Sequence, residues 1–192
     1  MSLREQKRVE TAHRITACAQ RLTDERGLDG FTMDDLAEAA EVSRRTLFNY
    51  FPGKTDAVLG ELPELPDDVV ATFRAGGPHG GLVDDLAELA RVALAAKPTD
   101  RDSLTLGRRV LVGEPRLLAA VHLRFETVIE EFAELVHERE GADFDPGRAR
   151  LALRLLLAIL DHALAVLVEE QSERTLVEVL DEQLGRARGL LA

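Results

Sequence analysis

Between Arg44 and Lys54 the run Arg-Arg-Thr-Leu-Phe-Asn-Tyr-Phe-Pro-Gly-Lys gathers side chains that suit a nucleic-acid surface. Arg44 and Arg45 each carry a guanidinium fork that can pair bidentately with guanine, and the Asn49 amide matches the donor and acceptor on adenine. Thr46, Tyr50 and Lys54 supply hydroxyl or ammonium donors of the kind that bind phosphate oxygens. At 100° per residue Leu47 and Phe51 share one side of a helix, Arg45, Thr46, Asn49 and Tyr50 collect on the other, and Arg44 projects from the first turn. A short helix with two arginines is also what a solvated surface helix looks like, so the flanking residues must decide.

Those flanks specify a held helix. Ser43 is an N-cap for it, and Pro52 ends it. Upstream, Thr32 is a second N-cap, with Asp35 three residues on completing a capping-box-like pair, and the helix they start turns Leu36, Ala37 and Ala40 inward. Two short helices joined at Glu41-Val42 read as a helix-turn-helix, whose second helix meets base edges with its first turn.

The pattern Phe31-Thr32…Leu36-Ala37…Val42-Ser43-x-x-Thr46-Leu47-Phe48-x-Tyr50-Phe51-Pro52-x-Lys54 resembles the DNA-binding motif of the TetR family of transcriptional regulators, and at motif level it covers roughly residues 8–60. The resemblance implies an all-α chain: an N-terminal three-helix helix-turn-helix DNA-binding domain over residues 1–54, then a C-terminal helical bundle over residues 55–192 that binds ligand and dimerises. Carried over residue by residue, it makes Arg44, Arg45 and Asn49 readers of bases and Thr32, Thr46, Tyr50 and Lys54 grips on phosphates. It further implies a homodimer on a palindromic operator in double-stranded DNA, a repressor released by a small-molecule effector, and no cofactor; activation and effector-independent DNA binding are the alternatives. Phe48 departs from the pattern, because the family commonly has tyrosine there. The missing hydroxyl leaves an apolar contact, such as one to a thymine methyl.

Charge is divided along the chain. The net charge is −11, yet residues 1–54 hold nine Lys/Arg and nine Asp/Glu, so the whole excess lies in residues 55–192. Arg4, Lys7 and Arg8 stand ready to join Arg44, Arg45 and Lys54 in a basic face while the acidic remainder repels DNA. The single cysteine, Cys18, excludes an intramolecular disulfide and a Cys-rich zinc site, and it falls among Ile15, Ala19 and Leu22 as a packing residue. Met1 to Glu10 is polar, without the apolar stretch of a secretory leader, and the expected location is cytoplasmic.

Beyond Lys54 the pattern is helices separated by breakers. Pro63 and Pro66 predict that the helix beginning near Lys54 is short or kinked. Gly76-Gly77-Pro78-His79-Gly80-Gly81 reads as a connector. Leu82, Leu86, Leu89, Ala90, Ala93 and Leu94 mark a helix running to Lys97-Pro98, and another spans about Arg101 to Val112. A long helix opens at Gly113-Glu114-Pro115 with Leu117, Leu118, Val121, Phe125, Val128, Ile129, Phe132 and Val136 as its buried stripe, and Asp145-Pro146-Gly147 starts the next. Residues 151–168 approach the length of a membrane span, but Arg154, Asp161 and His162 interrupt them, each costing a few kcal/mol near a bilayer centre. A helix apolar on several sides is instead expected to be buried on several sides, which predicts a twofold interface through Leu156, Leu160, Leu164 and Leu167 with Leu180 and Leu184 of the last helix. His122 and Glu126 have the i, i+4 spacing that holds one side of a metal, but two ligands do not make a site. A small metal-dependent helical enzyme built on them and His162 is the remaining class; no serine elbow, phosphate loop or HExxH motif supports it, and no metal is assigned.

Overall fold

The computed structural model describes residues 3–96, 100–170 and 174–191. Among them the chain forms helices α1 (Leu3–Arg26), α2 (Met33–Ala39), α3 (Arg44–Tyr50), α4 (Lys54–Leu59), α5 (Asp67–Arg74), α6 (Leu82–Ala96), α7 (Arg101–Gly113), α8 (Pro115–Glu140), α9 (Pro146–Glu169) and α10 (Leu176–Leu191), with no strand. The predicted all-α class is observed. Lys97 and Pro98, read above as a helix end, lie outside the described residues. The chain divides into two compact units, one made of Met1–Leu62 with Asp102–Leu123 and the other of Pro63–Arg101 with Arg124–Ala192.

In the first unit α1 buries Ala12, Ile15, Cys18, Ala19 and Leu22 along one helical stripe. These meet Leu28, Phe31, Leu36, Ala37, Ala40, Leu47, Phe51, Ala57 and Val58, with Val110 of α7 and Leu117 of α8 completing the same core. Each large side chain so buried contributes about 1.5–3 kcal/mol, which fixes α3 to the core through Leu47 and Phe51. Cys18 is buried, as read from the sequence; its Sγ donates to the Ala39 carbonyl at 3.3 Å and accepts from Arg21 at 3.1 Å. The loop after α1 is tight: a Cβ on Gly30 would stand 2.0 Å from the Arg26 carbonyl oxygen, so only glycine lets the chain pass there. Two arginines tie α7 and α8 to this unit, Arg109 to Asp24 at 2.8 and 2.6 Å and Arg116 to Asp29 at 3.0 and 2.8 Å.

The helix that starts at Lys54 is short, as expected, but its end has another cause. Gly60, at φ 69°, closes α4 before Pro63 is reached, and Pro66 then serves as the N-cap position of α5.

In the second unit Phe73, Leu86, Leu89, Ile129, Ala133, Val136, Ala149 and Leu153 form the core. Into it the Gly76–Gly81 connector is fastened by a buried ion pair. Arg139 donates to Asp85 at 2.6 Å and to the carbonyls of Phe73, Gly76 and Gly77, while Asp85 also accepts the His79 backbone N–H at 2.6 Å. With side chains 3% and 0% exposed, both charges are removed from water, and the hydrogen bonds to each are what make that tolerable. Burial pushes the Asp85 carboxyl up, but the His79 N–H and the Arg139 guanidinium outweigh it and hold it below the ordinary carboxylate value.

Not all of the expected stripes are buried. Leu118 is exposed, and Val121, Phe125, Val128 and Phe132 are half-buried. Helix α9 is long and apolar enough to cross a bilayer by length and composition. In this structure it packs along α10 and α6, and its charged residues pair with α8, Arg150 with Glu130 and Arg154 with Glu126, both at 2.7 Å.

Candidate nucleic-acid interface

The candidate reading face is built by two caps. Thr32 accepts from the Asp35 N–H at 3.1 Å while its own N–H and hydroxyl donate to the Asp35 carboxylate at 2.7 Å, so the capping box is complete. Hydrogen bonding from Thr32 holds the Asp35 carboxyl below its ordinary value and keeps it ionised beside the N-terminus of α2. The turn that follows places Glu41 at φ 53°, and the Val42 N–H bonds back to the Ala37 carbonyl at 3.0 Å. Ser43 then caps α3 by accepting from the Thr46 N–H at 3.0 Å.

With Leu47 and Phe51 anchored in the core, α3 presents Arg44, Arg45, Phe48 and Asn49 to solvent, and Thr46, Tyr50 and Lys54 are half-buried. Three of the expected base readers are thus brought together on one exposed face. They are not equally free. Arg44 donates to Asp34 of α2 at 3.1 Å, and its guanidinium carbon lies 5.6 Å from the centre of the Phe48 ring. The side chains of Arg45 and Asn49 make no hydrogen bond or ion pair among the described residues.

The expected phosphate grips are more committed. The Thr32 hydroxyl serves the capping box, and the Thr46 hydroxyl lies 2.7 Å from that of Ser43. Lys54 donates to the Phe31 carbonyl at 2.8 Å with its ammonium 5.0 Å from the Phe31 ring centre, so it latches α4 to the residue that precedes the cap of α2. Tyr50 lies tilted against Phe51. Two participants escaped the sequence reading, Asp34 and the Phe31 backbone. Ten residues separate Asp34 from Arg44, a spacing that no single helix brings together, so only the angle between α2 and α3 reveals the pair.

Three of the six interface residues expected on the last two helices need correction. Leu167, Leu180 and Leu184 are buried within the chain itself and have no surface to offer a partner. Leu156 packs on the second core, and Leu160 and Leu164 are half-buried on the same side. The apolar side chains that α9 turns outward are instead Leu151, 58% exposed, and Leu155, 44% exposed, with Ala158 and His162 continuing that line.

Comparison with known proteins places the site in context. Residues 15–59, which span most of α1 through α4, match the family model for bacterial regulatory proteins of the tetR family. A candidate mycofactocin biosynthesis transcriptional regulator, MftR, of Mycobacterium tuberculosis H37Rv is 29% identical over 154 residues, covering 73% of this chain and 72% of that protein. A crystal structure of a candidate TetR-family transcriptional regulator from Mesorhizobium loti aligns over 95% of each chain with a TM-score of 0.50 and 18% identity, a likeness of fold.

Proposed function

We propose that the chain is a bacterial transcriptional regulator of the TetR family, whose model it matches over residues 15–59, and that it is a repressor that binds a palindromic operator as a homodimer and is released by a small molecule. The observation that carries the DNA-binding part is α3: a capped, core-anchored helix whose free side carries Arg44, Arg45 and Asn49. Arg44, Arg45 and Asn49 read base edges, and Thr32, Thr46, Tyr50 and Lys54 contact phosphates. A regulator of bacterial transcription works where the chromosome is, so its place is the cytoplasm.

Dimerisation is supported by the outward side of α9. Leu151 and Leu155 lie one turn apart and exposed, and α10, which packs along α9, exposes Gly185 and Gly189, which leave room for a close backbone approach. Twofold pairing there buries both, and a palindromic operator requires the two copies of α3 in such a dimer to stand about 34 Å apart, one turn of DNA. Sedimentation of the Leu155→Glu variant tests it: the expected result is a monomer that has lost operator affinity, whereas a wild-type chain that is monomeric at micromolar concentration with DNA binding intact overturns the dimer.

What supports an effector is Gln183 on α10. It is 4% exposed, and its amide nitrogen is buried without an acceptor among the described residues. A lone buried donor costs about 1–3 kcal/mol, an outlay that a ligand carbonyl or carboxylate offsets. An enzymatic reading has less behind it: His122 and His162 are exposed, and Glu126 is taken by Arg154. Selection of bound sequences from random duplex DNA tests the whole proposal. A palindrome with two half-sites one turn apart is the expected outcome; enrichment of no sequence overturns it.

A further inference from the structure

Phe48 is the one residue of the reading face that the family pattern leaves without work, and its surroundings suggest what it does. The ring is 43% exposed on the polar side of α3, one turn beyond Arg44. Arg44 lies over it at 5.6 Å while its Nη1 is held by Asp34 at 3.1 Å. The guanidinium is therefore gripped at one corner and stacked on one face. Its Nε and Nη2 edge, one of the two edges of a guanidinium that make a bidentate fork, has no partner among the described residues.

Two groups 5.6 Å apart cannot serve distant base pairs, since successive bases along a strand are about 3.4 Å apart. They must address the same step or adjoining ones. The first turn of such a helix faces base edges, where the best partner for a guanidinium fork is guanine O6 and N7. A phenyl ring has no donor for phosphate and no acceptor for a base; the one apolar group in the major groove is the methyl at pyrimidine C5.

We propose that Arg44, Phe48 and Asp34 form one reading unit for a dinucleotide step in which guanine adjoins a C5-methylated pyrimidine, thymine in ordinary DNA. Arg44 takes the guanine, Phe48 covers the methyl, and Asp34 is a positioning residue that fixes the guanidinium and, being anionic, opposes its diversion to phosphate. This rests on the DNA-reading proposal above and narrows it to a base step.

The test uses the full chain. Sequences selected from random duplex DNA are expected to contain a thymine–guanine step in each half-site. Replacing that thymine by deoxyuridine removes only the methyl and is expected to weaken binding about fourfold per half-site, the worth of one buried methyl. Cytosine at the same position is expected to bind poorly and 5-methylcytosine to recover part of the loss. Phe48→Ala is expected to bind the thymine and deoxyuridine duplexes alike. Phe48→Tyr, which keeps the ring, is expected to gain affinity for all sequences while losing part of the methyl preference. Asp34→Ala is expected to bind random duplex more tightly and the selected site no better, lowering the ratio about tenfold with an unchanged unfolding midpoint. A selective palindrome lacking the step, or a Phe48→Ala variant that still prefers thymine over deoxyuridine, overturns this reading alone. Absence of any selectivity overturns it together with the regulator proposal.

Discussion

Replacing Lys54 by methionine separates two jobs of one ammonium group. The Nζ donates to the Phe31 carbonyl at 2.8 Å and lies 5.0 Å from the Phe31 ring centre, so it braces the start of α4 against the segment leading into α2. One N–H is used there, and an ammonium has three, which leaves enough for a phosphate oxygen. Methionine keeps the aliphatic stem and removes both roles. A charged donor to a buried carbonyl contributes about 1.5–3 kcal/mol and a partly exposed cation over an aromatic ring about 0.5–1 kcal/mol. Because Lys54 is only half-buried, the lower ends apply and a loss of about 2 kcal/mol is expected. The phosphate role has its own readout: each lost cationic contact flattens the dependence of log K on log salt by about 0.9, hence by about 1.8 for a dimer. Anisotropy titrations of labelled operator and of random duplex across a salt series, with urea unfolding of the same preparations, measure both. A stability loss without a change in slope reduces Lys54 to a latch; a change in slope without a stability loss makes the Phe31 contact incidental. Either result refutes the double role.

Asn49→Ala is expected to relax preference at one base position by about 1–3 kcal/mol, read from competition among single-base operator variants; equal losses on every sequence contradict its assignment as a reader. Asp85→Asn removes the buried counter-charge of Arg139, leaving it only the partly exposed Glu140 carboxylate at 2.8 Å, and is expected to cost about 3 kcal/mol, the lower end for a broken buried pair, in urea unfolding at pH 7. Because the Asp85 carboxyl is held below its ordinary value, the stability it lends is complete above the unfolded value near 3.8 and is lost as pH falls through the lower folded value. The deficit of the Asp85→Asn variant should therefore shrink steadily below about pH 4, and a deficit that stays constant to pH 2 refutes the pairing. Gln183→Met removes a lone buried donor and is expected to raise stability by about 1 kcal/mol while abolishing release from DNA by the effector; a destabilised variant that still responds rules out its role.

The parts of this molecule that were legible in the sequence are those whose partners are close along the chain. The Thr32–Asp35 box and the Ser43 cap span three residues each, and a helix terminus fixes their geometry almost without help from the rest of the fold. The Arg44–Asp34 and Lys54–Phe31 contacts depend on how α2, α3 and α4 cross, which no periodicity encodes. Helix α9 shows the opposite limit. With leucine on nearly every side, its pattern demands extensive burial but gives no orientation, and Leu167, expected at a partner's surface, is buried within the chain while Leu151 and Leu155 face outward. The membership of Asp102–Leu123 in the first unit was likewise illegible, since Val110 and Leu117 look like any core leucine or valine until α1 is beside them.

The distribution of charge says how such a regulator would choose its site. The helix-turn-helix segment is neutral over residues 1–54 and the whole chain carries −11, so little of its affinity can come from indiscriminate attraction to phosphates. Several cations of that segment are also engaged at home: Arg8 with Glu61, Arg44 with Asp34, Lys54 with Phe31. Arg45 is the cation of α3 without an ion pair among the described residues. A head of this kind gains less from counterion release than one lined with free lysines, and its binding to random duplex should be weak at physiological salt. What distinguishes one sequence from another then falls to short-range contacts, the guanidinium forks, the Asn49 amide and the Phe48 ring. The ratio of specific to non-specific affinity is thereby raised by lowering its denominator, which for a protein searching a chromosome matters as much as raising the numerator.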